Sequence, residues 1–120
     1  MFGFFKGYTK ETQKTALSEY QKGSAVIIDV REEEEVNSNH IVGAQWIPLS
    51  FIRSDQDKAI KLVKDNFQDK KVYIYCRSGN RSQTVTDILK GNGINAINLG
   101  GLGSLKSEFK TEPGKLECCS

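Results

Sequence analysis

The sequence predicts an α/β fold in which a mostly parallel sheet is covered by helices on both faces. Three short runs of apolar and β-branched residues, at 25–30, 71–75 and 95–99, have the composition of buried strands. Segments with apolar residues at helical spacing alternate with these runs. Because parallel strands are joined by crossover connections, usually helices, this alternation favours a parallel sheet with helices packed against it.

In the N-terminal half, the pattern predicts two helices and a second short strand. Residues 9–21 carry apolar side chains at helical spacing, and Gly23 provides a stop. The acidic run at 32–35 favours the start of a short helix, because the positive end of the helix dipole attracts carboxylates. Residues 44–47 form a short apolar run that ends at Pro48, which predicts a strand.

In the C-terminal half, three further helices are predicted. Residues 57–67 and 82–90 each place apolar residues on one face. Gly91 and Gly93 end the second of these helices. The Gly-Gly pair at 100–101 is expected to turn the chain into a last helix near residues 105–109.

Length and composition favour one ordinary globular domain. The chain has 120 residues, 38% of them hydrophobic and 27% charged. We assign the core to residues 9–110 and a tail to 111–120. The net charge of +2 and the scattered lysines predict no nucleic-acid partner. The sequence has no long apolar stretch and no secretory-signal pattern, so we expect a cytoplasmic protein without a membrane partner.

The residues that bear the chemistry follow the predicted strand at 71–75. Cys76 comes directly after this strand, and ligands of open α/β sheets bind outside the carboxyl ends of strands. A short loop leading into a helix can turn its amides toward a central anion, and Gly79 permits the positive φ that this needs. Arg77 and Arg81 add positive charge. We therefore expect a lowered pKa at Cys76 and a thiol that solvent can reach.

More than one interpretation is open for three polar side chains of this loop. Arg81 lies inside the ring of amides, pairs with a carboxylate or is a solvated surface charge. Arg77 points outward to an anionic substrate or is a solvated surface charge. Ser82 is the N-cap of the following helix or takes part in the chemistry.

Three motifs resemble the rhodanese-like superfamily. The segment Cys-Arg-Ser-Gly-Asn-Arg-Ser at 76–82 is similar to its active-site loop. Residues 28–32, together with 40–44 and 47–49, are similar to its upstream signature, and residues 98–102 to its downstream Gly-Gly turn. The match runs from about residue 12 to 109. One departure is Leu105, which stands in the region where the family often has tryptophan.

The resemblance implies a rhodanese fold with a central, mostly parallel five-stranded sheet flanked by helices on both faces. It implies that Cys76 is the nucleophile and carries a persulfide. The donor is a small anion such as thiosulfate, and the acceptor is cyanide or a thiol, which includes a thiol on a partner protein. No cofactor is implied, and we expect a monomer. The substrate-binding residues, acting mainly through main-chain amides, are Arg77, Ser78, Gly79, Asn80, Arg81 and Ser82.

Residues outside the loop are given supporting roles. The resemblance makes Asp29 and Arg31 structural, with Arg31 paired to a carboxylate. His40 is interpreted as a satisfied turn residue. With one histidine and no Cys-x2-Cys pair, the sequence predicts no metal site. Cys118 and Cys119 are expected in a frayed tail, or else one of them accepts sulfur from Cys76 or forms a disulfide with it.

Two rival functions remain. Cysteine phosphatases and arsenate reductases use a related loop but place five residues between cysteine and arginine. Here four residues separate Cys76 from Arg81, and the smaller ring suits a single sulfur atom. A non-catalytic rhodanese module used for regulation is the other alternative, although such modules commonly lose the cysteine. A persulfide carrier dedicated to one pathway is a variant of sulfur transfer.

Overall fold

The computed structural model describes residues 9–118. The six helices of this part are α1 (Lys10–Gln21), α2 (Glu33–Ser38), α3 (Leu49–Ser54), α4 (Gln56–Asn66), α5 (Asn80–Gly91) and α6 (Leu102–Leu105). The six strands are β1 (Ala25–Asp29), β2 (His40–Ile41), β3 (Gln45–Trp46), β4 (Lys71–Cys76), β5 (Ala96–Gly101) and β6 (Thr111–Glu112). No helix in this part of the chain is long and apolar enough to cross a bilayer.

The main sheet is parallel throughout, with the strand order β3-β1-β4-β5. The predicted α/β fold with a mostly parallel sheet between helices is therefore confirmed. Over residues 9–118 this sheet has four strands rather than the expected five. In the described part of the chain, the outer edge of β3 forms one parallel bridge, between Trp46 and Cys118. Strands β2 and β6 pair with each other in a separate antiparallel sheet.

The core forms one layer on each face of the sheet. Along β4, Val72, Ile74 and Cys76 belong to the layer that also contains α4 and α5 residues. Tyr73 and Tyr75 belong to the opposite layer, with α1 and α6 residues. This alternation follows from the two-residue period of a strand. It directs the Cys76 side chain toward the α5 side of the sheet.

The segment beyond residue 110, assigned to a tail, makes contacts up to Cys118. Besides the pairing of β6, the Gly114 amide donates to the Asn37 carbonyl. A frayed tail is therefore wrong for Cys118. The bridge to Trp46 places Cys118 three strand positions from β4, about 14 Å at the usual strand spacing. Exchange of sulfur between Cys118 and Cys76 does not fit this placement, and Cys119 lies outside the described residues.

A bulge in β5 explains why the end of β5 and the start of α6 differ from the predicted positions. Ile74 pairs with Asn98, but Tyr75 pairs with Gly100, so Leu99 is an extra residue in β5. The strand consequently continues through the Gly-Gly pair, and α6 begins at Leu102 instead of near residue 105. Gly100 has φ +99°, a conformation that favours glycine.

Gly101 lets the active-site loop lie directly on the sheet. A Cβ atom at this position would stand 2.5 Å from the Arg77 carbonyl oxygen and 3.2 Å from the Ser78 Cα. These are backbone atoms, which cannot rotate aside as a side chain can. The loop and the end of β5 therefore pack backbone against backbone.

Replacing Gly101 with alanine should destabilise the fold by about 2 kcal/mol, because overpacking a rigid contact forces backbone shifts. Urea unfolding of Gly101→Ala measures this change. Gly103→Ala is the matched control, since a Cβ there meets nothing within 4 Å. Equal stability of the two variants would contradict the close-packed contact.

Candidate active site

Cys76 ends β4, and its sulfur lies inside the turn made by the following residues. The sulfur accepts hydrogen bonds from the Gly79 amide at 3.0 Å and the Ser82 amide at 3.4 Å. The Ser82 hydroxyl oxygen is 3.3 Å away. Gly79 has φ +97° and is the N-cap of α5, so this helix starts two residues earlier than predicted. The N-cap role considered for Ser82 is therefore wrong, and its side chain lies against the sulfur instead.

The Cys76 side chain is buried, with 0% of its surface exposed. The expectation that solvent reaches this thiol is therefore wrong for this conformation. The amides that donate to the sulfur belong to the loop and to the first turn of α5, where Arg77, Ser78 and Asn80 are exposed. Access to the sulfur thus requires a movement of this loop or of the cysteine side chain, rather than of the sheet.

Burial raises the pKa of the Cys76 thiol, but the surrounding hydrogen bonds outweigh it. These bonds come from the amides of Ser82, Ser78 and Gly79, and the pKa lies below its ordinary value. Amides that point at the sulfur stabilise the thiolate without adding a titratable group. The Cys76 thiol is thus buried and still has a pKa below that of an ordinary cysteine.

Two further amides at the start of α5 are not used within residues 9–118. Neither the Asn80 nor the Arg81 amide donates to any group there, whereas the next amides are bonded to the sulfur and to the Gly79 carbonyl. The first amides of a helix have no partner inside the helix. They form the part of the ring that remains available to an anion or to a second sulfur atom.

Arg81 pairs with a carboxylate and does not enter the ring. Its two terminal nitrogens donate to the Glu35 carboxylate at 2.7 and 2.8 Å. The Arg81 guanidinium lowers the pKa of Glu35 to about 2. Since Glu35 lies on α2, this bidentate pair fastens the start of α5 to α2.

Asp29 and Arg31 form a second, fully enclosed pair at the end of β1. The Arg31 side chain donates to Asp29 at 2.8 Å, and the Arg31 amide donates to the same carboxylate at 2.9 Å. The Arg31 guanidinium also contacts the Asn39 carbonyl and lies over the Tyr75 ring, 5.6 Å from its centre. The pair thereby holds the residue that precedes Cys76.

The surface beside the loop is a depression of about 410 Å³, lined in part by Arg31, Glu35, Arg77, Leu102 and Lys106. The charges of Arg31 and Glu35 are compensated by the ion pairs described above. Arg77 and Lys106 are exposed and have no ion-pair partner within residues 9–118. A larger depression of about 530 Å³ lies at the amino ends of β4 and β5 and contains no residue of the loop.

Three residues of this site were not found from the sequence. Lys106 reaches the depression because α6 begins early, which the sequence pattern does not indicate. Glu35 pairs with Arg81, but the acidic run at 32–35 predicted only a helix and not which of its carboxylates forms this pair. Asn98, in the Gly-Gly motif, contacts Ser82 through its side chain. The interpretation of His40 as a satisfied turn residue is wrong, because it lies in strand β2 and only one of its ring nitrogens has a hydrogen-bond partner within the described residues, the Val36 carbonyl at 2.9 Å.

The chain shares its sequence pattern and fold with known proteins. An uncharacterized Bacillus subtilis protein, YqhL, is 34% identical over 115 residues, which cover 92% of this chain and 80% of that protein. A tRNA uridine(34) hydroxylase of Citrobacter koseri is 33% identical over 73 residues, which cover 61% of this chain and only 21% of the hydroxylase. A solved rhodanese with anions from E. coli has a TM-score of 0.56 and 27% identity, covering 75% of this chain and 99% of that structure.

The match to the family itself covers most of the sequence. A sequence model of the rhodanese-like domain matches residues 12–108, which include the loop, the upstream motif and the Gly-Gly turn. The resemblance that those three motifs indicate is thus supported over residues 12–108. This chain belongs to the rhodanese-like domain family.

Proposed function

We propose that this protein is a sulfurtransferase that moves sulfane sulfur from a small anionic donor, such as thiosulfate, to a thiol or cyanide through a persulfide on Cys76. The single observation that carries the proposal is the position of the Cys76 sulfur. It lies within a ring of loop amides that lower its pKa, at the carboxyl end of a parallel strand.

The first step loads the cysteine. The Cys76 thiolate attacks the outer sulfur of thiosulfate, a new sulfur–sulfur bond forms, and sulfite leaves with the electron pair of the broken bond. Negative charge then resides on the outer sulfur of the persulfide. The Asn80 and Arg81 amides, which have no acceptor within residues 9–118, are suitable donors to this charge.

The second step transfers the outer sulfur from Cys76 to the acceptor. A thiolate or cyanide attacks the outer sulfur, and the bond to Cys76 breaks with its electron pair returning to the cysteine. Cys76 is thus a thiolate again. Because the sulfur is buried, both steps need an opening at the loop, and the exposed residues Arg77, Ser78 and Asn80 are those that move into solvent with least loss of contact.

The donor is proposed to enter between Arg77 and Lys106. Both are exposed cations beside the loop without an ion-pair partner in the described chain. Two uncompensated positive charges favour an anion at this surface, although solvent and salt weaken the attraction.

A phosphatase function is disfavoured by the arrangement of Arg81. An enzyme that binds phosphate in its cysteine loop needs the loop arginine to face the anion. Here both terminal nitrogens of Arg81 are taken by Glu35. A purely regulatory module is disfavoured because the cysteine and its amide ring are intact.

Incubation with thiosulfate should add one sulfur atom to the protein, a mass gain of about 32 Da, since a persulfide is the expected covalent intermediate. Intact mass spectrometry measures this gain, and cyanide should reverse it. Cys76→Ser should show no gain, while Cys118→Ser, the matched control, should gain normally. A gain that survives Cys76→Ser would contradict the assignment, and hydrolysis of phosphate esters without any gain would favour the phosphatase.

Arg77→Ala and Lys106→Ala should each raise the donor KM for thiosulfate about threefold and leave kcat nearly unchanged, as expected for exposed charges that attract an anion. Steady-state kinetics with cyanide as acceptor measure both constants, and added salt should narrow the difference. Lys90→Ala removes a similar exposed charge from the last turn of α5 and is the control. If all three variants share the wild-type KM, the donor enters elsewhere.

The Arg81–Glu35 pair should make the stability of the protein dependent on pH. The pKa of Glu35 falls from 4.5 to about 2 on folding, so its stabilisation is complete above pH 4.5 and is lost as the pH drops toward 2. Glu35→Gln should cost about 1 kcal/mol at neutral pH, and the difference from wild type should shrink over that window. Urea unfolding at several pH values measures it. Asp65→Asn, which breaks the exposed pair with Lys61, should cost less.

A further inference from the structure

The orientation of the Asn98 side chain is fixed by two backbone groups. Its oxygen Oδ1 is 3.0 Å from the Gly100 amide, and its nitrogen Nδ2 is 3.0 Å from the Gly79 carbonyl. A backbone amide only donates and a carbonyl only accepts. Reversing the side-chain amide would therefore set donor against donor and acceptor against acceptor, so Oδ1 must face Gly100.

This orientation decides where the Ser82 hydroxyl places its proton. The Ser82 oxygen lies 2.7 Å from Oδ1 of Asn98, and 3.3 Å from the Cys76 sulfur. Oδ1 can only accept, so the short contact requires the hydroxyl to donate to Asn98. A hydroxyl has a single proton. While Asn98 holds it, the Ser82 oxygen can only accept from a Cys76 S–H group and cannot donate to the sulfur.

The bulge in β5 is what brings Asn98 to this position. The bulge follows Asn98 directly, and the Asn98 oxygen accepts from the Gly100 amide on its far side. The other end of the side chain reaches the Gly79 carbonyl and the side chain of Gln83. All four contacts are made by a residue that is 4% exposed, so the side chain has little freedom to turn.

We propose that Asn98 is a positioning residue that withholds the Ser82 hydroxyl proton from the Cys76 sulfur, so that the loop amides alone support the ionised cysteine. In the thiol form, Cys76 donates its S–H to Ser82, which donates to Asn98. In the thiolate form, the Ser82 oxygen presents lone pairs to the sulfur. In a persulfide the inner sulfur is uncharged, so the lone pairs of the Ser82 oxygen no longer face a negative charge.

The arrangement thus favours the sulfur-loaded cysteine over the free thiolate. This last consequence rests on the proposed function, whereas the direction of the Ser82 proton does not. Arg81 on α5 interacts electrostatically with Cys76 and is paired with Glu35 on α2, and Arg77 is an exposed residue of the loop. Asp29 and Arg31 at the end of β1 are paired with each other, and β5 carries no charged residue. None of these groups bonds to the Ser82 hydroxyl or the Asn98 amide, so changes at those two side chains leave them in place.

The test is the pH midpoint of Cys76 alkylation by iodoacetamide, followed by mass mapping of the Cys76 peptide in the full chain without any sulfur donor. Ser82→Ala should leave the midpoint unchanged or lower it, because the hydroxyl it removes does not donate to the thiolate. A midpoint that rises in Ser82→Ala would overturn the proposal. Thr86→Val is the matched control, since it removes a buried hydroxyl that bonds to the Ser82 carbonyl and not to the sulfur.

Asn98→Ala provides the second arm. It frees the Ser82 hydroxyl to donate to the thiolate, so the midpoint should fall by about one pH unit, and the fall should be absent when Ser82→Ala is also present. A purely structural role of Asn98 predicts the opposite sign, since a loosened loop loses amide bonds to the sulfur. An unchanged or raised midpoint overturns the proposal.

If Asn98→Ala does not fold, as judged by circular dichroism, Ser82→Ala alone decides whether the Ser82 hydroxyl donates to Asn98 or to the Cys76 sulfur. The result is also independent of sulfur transfer. A protein that gains no mass from thiosulfate but shows these midpoints would refute the proposed function and retain the role of Asn98. The reverse pattern would retain the function and refute the role.

Discussion

The hydrogen bonds from the Gly79 and Ser82 amides to the Cys76 sulfur require a particular backbone conformation of the loop and a close packing of the loop on the sheet. To aim its amide inward, Gly79 adopts a positive φ, which only glycine accepts without strain. To bring the loop over the end of β4, the chain lies against Gly101, where no side chain fits. Gly79 and Gly101 belong to two separate motifs, and both are needed to place the loop amides around the Cys76 sulfur.

The loop is fastened on both sides by polar contacts rather than by apolar packing. Arg81 ties it to α2 through Glu35, and Asn98 ties it to β5 through the Gly79 carbonyl. Hydrogen bonds define direction as well as distance, which apolar contacts do not. A loop whose task is to present amides at fixed angles is therefore better held by such contacts, and it can still open because little apolar surface is lost when they break.

The alternation of strands and helices and the position of Cys76 were predictable because they depend on local pattern. β4 is a continuous apolar run, and the cysteine follows it at once. The small sheet of β2 and β6 was not predictable, since each strand has two residues and the partners are far apart in sequence. The same holds for the contacts of Arg81 and Lys106 and for the burial of Cys76. The bulge at Leu99 hid the true end of β5, and with it the role of Asn98.

Burial and ionisation of Cys76 conflict only if the charge must stay on one atom. Burial opposes a thiolate, and the ring of amides offsets this by hydrogen bonds that need no solvent. In the proposed persulfide, a second sulfur atom would move the charge outward, toward the Asn80 and Arg81 amides at the start of α5, which have no acceptor within residues 9–118. The inner sulfur is then neutral, and its buried position carries no electrostatic cost. Under the proposed function, such a site stabilises the persulfide form of Cys76 relative to the free thiolate.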